Sequence, residues 1–267
     1  MNEAVLMALI ATLGTWFVTA LGAATVAFFK TPNQKALNLM LGFAAGVMIA
    51  ASFWSLLQPA IERARVDSGL PAYLVATMGF LCGAFFMWLS DKIVFYARNK
   101  TNSTQGKVNQ CLNRIIMLIL SITLHNIPEG LVVGVAFGSM QNEGYSVENL
   151  MGAVTIAVGI GLQNFPEGAA VSIPLRREGY SRIKSFLLGQ ASGLVEPVAG
   201  VIGALLVVHV ETILPFALSF AAGAMILVAV HELIPECQKN QETQPYSATM
   251  GIIMGFAVMM LLDVMLG

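Results

Sequence analysis

Charge is the scarcest feature of this sequence. Only 11% of its 267 residues are Asp, Glu, Lys or Arg, where a soluble domain carries about 25%. A disordered chain combines low hydrophobicity with much charge, so a hydrophobic content of 57% excludes disorder. The same shortage argues against a water-soluble globule. A basic excess is missing too: 14 Lys and Arg stand against 15 Asp and Glu, for a net charge of −1. That leaves no positive surface for nucleic acid. Cys82, Cys111 and Cys237 are odd in number, far apart and without CxxC spacing. They suggest neither a disulfide framework nor a cysteine metal site. No GxxxxGK[ST] segment occurs, so no nucleotide drive is implied. Met1-Asn2-Glu3 has no positive n-region and no small-residue cleavage pattern. The first apolar stretch therefore reads as a retained span rather than a signal peptide.

What is present is apolar length. The mean hydropathy is +0.75, which points to an all-α polytopic membrane protein. A spanning helix needs roughly 20 apolar residues. Eight segments qualify, at about 4–29, 36–61, 71–97, 112–139, 148–175, 182–209, 213–236 and 247–266. Together they fill residues 1–267 as a single transmembrane domain. The breaks carry turn residues and charge: Thr31-Pro32-Asn33-Gln34, Asp67-Ser68-Gly69-Leu70-Pro71, Gln141-Asn142-Glu143-Gly144 and Arg176-Arg177-Glu178-Gly179. The longest polar stretch, about 98–111, reads as a flexible loop. The least distinct break is the one between spans six and seven, around Val210-Glu211.

Basic residues set the orientation. Lys30, Lys35, Lys92, Arg98, Lys100, Lys107, Arg114, Arg176, Arg177, Arg182, Lys184 and Lys239 fall on one side, Arg63 and Arg65 on the other. The crowded side is cytoplasmic by the positive-inside rule, which puts both termini outside. Glycines recur at four-residue spacing: Gly42 and Gly46, Gly79 and Gly83, Gly130, Gly134 and Gly138, Gly251 and Gly255. Such stripes let helices approach closely in lipid.

The chemistry sits in a repeated motif. Span four holds His125-Asn126-Ile127-Pro128-Glu129-Gly130 and span five Gln163-Asn164-Phe165-Pro166-Glu167-Gly168. Adjacent spans run antiparallel, so the copies are related by a pseudo-two-fold in the membrane plane, a transporter arrangement. Residues i and i+4 share a helix face, which directs His125 with Glu129 and Gln163 with Glu167. Each proline frees the carbonyl four residues earlier, Leu124 or Leu162. Such a carbonyl is tolerated in a bilayer only where water, a polar side chain or a cation satisfies it. Facing carboxylates repel, and a divalent cation neutralises both. Imidazole, carboxylate and amide oxygen suit Zn²⁺, Fe²⁺, Mn²⁺ or Cd²⁺ better than monovalent copper.

Glu196, in Gly193-Leu194-Val195-Glu196-Pro197, is a third mid-membrane carboxylate. It reads as a further ligand or as a hydrogen-bonded packing residue. His231-Glu232-Leu233-Ile234-Pro235-Glu236, near the inner face, is a release site or an ordinary polar helix end. It is not the HExxH of a metalloprotease, because position 235 is Pro. Gln58, Pro59 and Glu62 read as a solvated helix end more readily than as an entrance. Met48 is a possible thioether donor that reads first as core. Asp91 and Asp263 lie near span ends, where snorkelling accounts for them.

With these motifs the chain resembles the ZIP family of divalent metal transporters, and most closely its GufA-type branch. The resemblance covers essentially the whole chain. It implies eight spans in a 3+2+3 inverted-repeat arrangement with outward termini, and movement of metal, chiefly zinc, toward the cytoplasm. It implies a binuclear site between spans four, five and six. His125, Glu129, Gln163 and Glu167 resemble the first-metal ligands. Asn126, Asn164 and Glu196, with the shared glutamates, resemble the second set. Met48 aligns with an additional donor, and His231 with Glu232 resembles an exit pair. It further implies an elevator motion of spans one, four, five and six against spans two, three, seven and eight, and a homodimer. Many members carry His at position 163 and Asp at 164, and a histidine-rich loop after span three; this chain has none of these. The reading is a metal importer of the inner or plasma membrane, with the metal as substrate rather than cofactor. The alternative is a membrane-embedded metal-dependent hydrolase.

Overall fold

The structure, a computed structural model, describes residues 2–28, 34–67, 69–102, 107–177, 179–238 and 246–266. Lys30, the turn Thr31-Pro32-Asn33, Ser68, the middle of segment 98–111, Glu178 and Lys239 lie outside the described residues.

Among the described residues every regular element is helical. Helix α1 is Glu3–Ala24, capped by the Asn2 side chain and prolonged by the 3-10 turn Thr25–Ala27. Helix α2 runs Gln34–Ala51, passes through a π-helical segment Ser52–Leu57 and continues as Gln58–Asp67. Helices α3 and α4 are Ala72–Asn102 and Lys107–Glu143. Helix α5 is Val147–Arg177. Helix α6 comprises Arg182–Ala191, a 3-10 stretch Ser192–Leu194 and Val195–His209. Helix α7 comprises Leu214–Val228, a π-helical segment Ala229–Leu233 and Ile234–Gln238. Helix α8 is Ser247–Leu266. Six of these, α1, α2, α3, α6, α7 and α8, hold stretches long and apolar enough to cross a membrane.

The connections follow local chemistry. Gly144 and Gly179 adopt φ of 95° and 96°, a region only glycine enters freely. The Gly179 N–H donates to the Arg176 carbonyl and the Tyr180 N–H to that of Leu175, the bond pair of a Schellman cap. At the indistinct break, Val210 leaves helical geometry (φ −136°, ψ 78°) and ends α6. The flexible loop expected at 98–111 is corrected: α3 continues to Asn102 and α4 starts at Lys107. Each of these helix ends keeps its own backbone hydrogen bonds, with no proline in the stretch to interrupt them, and residues 103–106 lie outside the described residues.

Among the described residues, three departures from α geometry inside helices were not expected, and each precedes a proline. Pro59, Pro235 and Pro197 cannot donate to the carbonyls of Ser55, His231 and Gly193, four residues earlier. The chain there widens to π or tightens to 3-10.

The four glycine stripes mark three close crossings, and Gly22 marks a fourth. A Cβ on Gly46 would meet the α8 backbone at Ile252, and one on Gly255 the α2 backbone at Phe43. Gly83 and Gly223 join α3 to α7 in the same way, at Phe220 and Phe80. Gly134 lies against Gly200 in α6, and Gly22 of α1 against Phe165 in α5. The helices therefore group as α1, α4, α5 and α6, all in mutual contact, beside α2, α3, α7 and α8. The outward faces carry large apolar side chains such as Ile10, Phe17, Leu81, Phe85 and Ile253, the surface a hydrocarbon solvent requires. Phe85 stacks on Trp88, and the Lys92 ammonium lies 5.4 Å from the Trp88 ring.

The crossings make a paired prediction. Gly134→Leu, whose Cβ falls on the Gly200 backbone, costs about 1–3 kcal/mol or more by overpacking. Gly14→Ala, with no atom within 4 Å of its Cβ, gains about 0.5–1 kcal/mol by helix propensity. Thermal unfolding in detergent measures both.

Candidate metal centre

Each proline motif sits inside an unbroken helix, Pro128 in α4 and Pro166 in α5. The glycine after each glutamate brings a neighbour in. Gly130 abuts the backbone of Glu196 on α6, and Gly168 abuts Thr19 on α1. Two equivalent positions thus each select one partner helix. His125, Asn126, Glu129, Gln163, Asn164, Glu167 and Glu196 are all buried.

Three polar groupings result. In the first, the Gln163 amide donates to Glu129 Oε1 at 2.7 Å. In the second, the Asn164 amide donates to both oxygens of Glu196, at 3.0 and 2.9 Å, and to the Thr15 carbonyl at 3.2 Å. The Thr15 hydroxyl donates to Glu196 Oε2 at 2.6 Å. The Asn126 amide donates to the Ser192 carbonyl at 3.1 Å, where the 3-10 stretch of α6 begins. In the third, His125 Nε2 lies 3.3 Å from Asp91 of α3 and 3.1 Å from Glu232 of α7. Asp91, His125 and Glu232 together could hold a metal ion. Glu167 lies within Coulombic reach of His125 and Glu232 on one side and of Glu129 and Glu196 on the other. It links the groupings.

Several expectations are corrected. His125 turns to Asp91 and Glu232 rather than to Glu129. Asp91 does not snorkel: α3 packs beside α4, which puts the carboxylate against the imidazole. Asp263 also stays inside, accepting from the Ser55 hydroxyl at 2.6 Å. His231 and Glu232 are parted, His231 being exposed while Glu232 reaches His125. Met48 is buried in the apolar core. Gln58 and Glu62, by contrast, bond each other at an exposed helix end, the reading favoured for them. The sequence reading missed Thr15 and Thr19. Their signal was a face of three threonines, Thr12, Thr15 and Thr19, all buried along α1.

The donor chemistry can be tested against a cation. Asn126 Oδ1, Glu129 Oε2, Gln163 Oε1 and Asn164 Oδ1 are buried and without hydrogen-bond partners. All four are acceptors from α4 and α5. Leaving buried acceptors unanswered costs about 1–3 kcal/mol each, and a hard or borderline divalent cation answers oxygen donors of this kind. The set fits a metal ion.

The family model described as ZIP zinc transporter matches residues 3–111 and 97–263. The chain belongs to the ZIP family. Zinc transporter ZIP11 of Homo sapiens is 38% identical over 342 aligned positions, covering 100% of this chain and 99% of its own. Zinc transporter GufA of Myxococcus xanthus is 34% identical, covering 97% and 98%. Zinc transporter ZIPB of Bordetella bronchiseptica is 35% identical, covering 93% and 78%. Membership makes this chain a multi-pass membrane protein, and each of these relatives bears a transporter's name rather than an enzyme's.

Gln163→Leu leaves Glu129 Oε1 without its donor. The expected loss is about 1–3 kcal/mol, seen as a lower unfolding temperature in metal-free detergent solution and narrowed by adding Cd²⁺.

Proposed function

We propose that this chain carries divalent metal ions, chiefly zinc, across its membrane toward the cytoplasm by alternating access. One observation supports this above the others: buried carboxylates and unpartnered acceptor oxygens gather around the two proline-containing helices α4 and α5. A purely structural protein has no use for them. The relatives named above, each a zinc transporter, support zinc as the principal substrate.

In this reading all eight helices span the bilayer, with both termini outside. The helix pairing supports an inverted repeat. Exchanging α1 with α6, α2 with α7, α3 with α8 and α4 with α5 maps the α1–α5 crossing onto α6–α4, and α2–α8 onto α7–α3. It also maps the two π-helical segments, in α2 and α7, onto each other. The ion loses water on entry and is held by Glu129, Gln163 and Glu167 with His125. It leaves past Asp91 and Glu232, so the proposed exit pair becomes Glu232 with Asp91 rather than with His231. The helices α1, α4, α5 and α6 move as one body against the other four. A homodimer in the plasma or inner membrane completes the proposal. The hydrolase alternative gains no support from the relatives.

Uptake tests the reading. Proteoliposomes holding the purified protein admit external Zn²⁺ or Cd²⁺, and Glu129→Ala or Glu167→Ala lowers the flux more than about tenfold, ~1.4 kcal/mol. Protein that binds the ion yet passes none under any gradient ends the proposal. Protons compete with the cation for carboxylates and imidazole. Affinity therefore falls with pH, and titration calorimetry at about pH 7.5 and about pH 5 measures the difference.

A further inference from the structure

Glu196 is the one central carboxylate whose two oxygens are both already engaged. Asn164 Nδ2 lies 3.0 Å from Oε1 and 2.9 Å from Oε2. The Thr15 hydroxyl reaches Oε2 at 2.6 Å. Glu129, by contrast, keeps Oε2 unpartnered.

The Asn164 amide cannot simply rotate to present oxygen. Its nitrogen is held by two acceptors at once, the Glu196 carboxylate and the Thr15 carbonyl. Both accept only, so the N–H hydrogens point at Glu196 and the carbonyl oxygen points away. A cation beside Glu196 on that side would meet N–H dipoles of the wrong sign. The other sides are closed by packing. Thr15 and Thr19 cover it from α1, a Cβ on Gly193 would lie 3.1 Å from Oε1, and Gly130 of α4 presses on the Glu196 backbone. Glu196 is thus hydrogen-bonded by Asn164 and Thr15 and packed against Gly193 and Gly130.

We infer that this transporter holds one divalent ion, not two, in its centre, and that Glu196 is a positioning residue that ties α6 to α1 and α5. The inference rests on the transport reading above and specifies its stoichiometry. Glu129 and Glu167 then supply two negative charges to one divalent cation. Glu196, hydrogen-bonded by the Asn164 amide and the Thr15 hydroxyl, fixes Asn164 so that Asn164 Oδ1, buried and unpartnered, faces away from the carboxylate.

The experiment is an ion count. Purified protein carrying Glu232→Gln, which removes one carboxylate of the Asp91 cluster, is dialysed against Cd²⁺ and the bound metal measured by mass spectrometry. The expected count is one per chain. It stays at one in Glu196→Gln and in Thr15→Val, and falls at least tenfold in occupancy in Glu129→Gln. Asn164→Asp replaces the donor with a second carboxylate facing Glu196 and raises the count to two. Gel filtration and unfolding temperature establish that each variant is folded. If Glu196→Gln does not fold, Thr15→Val and Asn164→Asp decide. Two ions in the background protein, loss of the ion in folded Glu196→Gln, or a count unchanged by Asn164→Asp overturns the inference. No ion in the background protein overturns instead the proposed function itself.

Discussion

A carboxylate in hydrocarbon must be answered by a donor, a proton or a cation, and the rest of this structure is arranged around that demand. A charged side chain at bilayer depth costs several kcal/mol unless it is compensated. The chain meets the cost in different ways at neighbouring positions. Glu196 receives an amide across both oxygens and a hydroxyl. Glu129 receives one amide on one oxygen and nothing on the other. Asp91 and Glu232 share an imidazole. Saturated groups hold the frame, and unsaturated ones define where a cation is wanted.

Delivering those groups to one place requires backbones that nearly touch. Gly130 and Gly168 follow the glutamates directly and bring α6 and α1 against the motif helices. A side chain at either would push the donors on those helices out of reach. Small residues at lipid-embedded crossings act through packing rather than hydrophobic drive, and here that packing sets the distances on which Thr15–Glu196 and Asn126–Ser192 depend.

Much of this was legible in the order of residues. The twin Asn-apolar-Pro-Glu-Gly motifs announced a polar centre because their spacing is local, within one helical turn. The glycine stripes were legible for the same reason, and the structure places all four stripes at close crossings. What could not be read were partners supplied by other helices. Thr15 and Glu196 are 181 positions apart, and His125 and Asp91 are 34 apart. Asp91 stands in no local pattern that distinguishes a ligand from a snorkelling residue, and the threonine face that holds Thr15 does not name its partner. The π-helical segments were half visible. Pro59 and Pro235 announce a disturbed helix, but whether it kinks, tightens or widens depends on what receives the freed carbonyl.

The uneven placement of glycine has a mechanical consequence. Within each half of the molecule, backbones interlock at Gly22, Gly46, Gly83, Gly134, Gly223 and Gly255. Such joints behave like meshed gear teeth: they resist sliding because each step must lift one ridge over another. Across the seam between the halves the character changes. Gly159 of α5 meets the thioether of Met259 on α8, an unbranched and adaptable side chain. A flexible chain laid in a smooth groove offers little resistance to shear. The seam therefore pairs glycine with a flexible thioether where each half pairs backbone with backbone, and it runs beside His125, whose polar contacts with Asp91 and Glu232 reach across it.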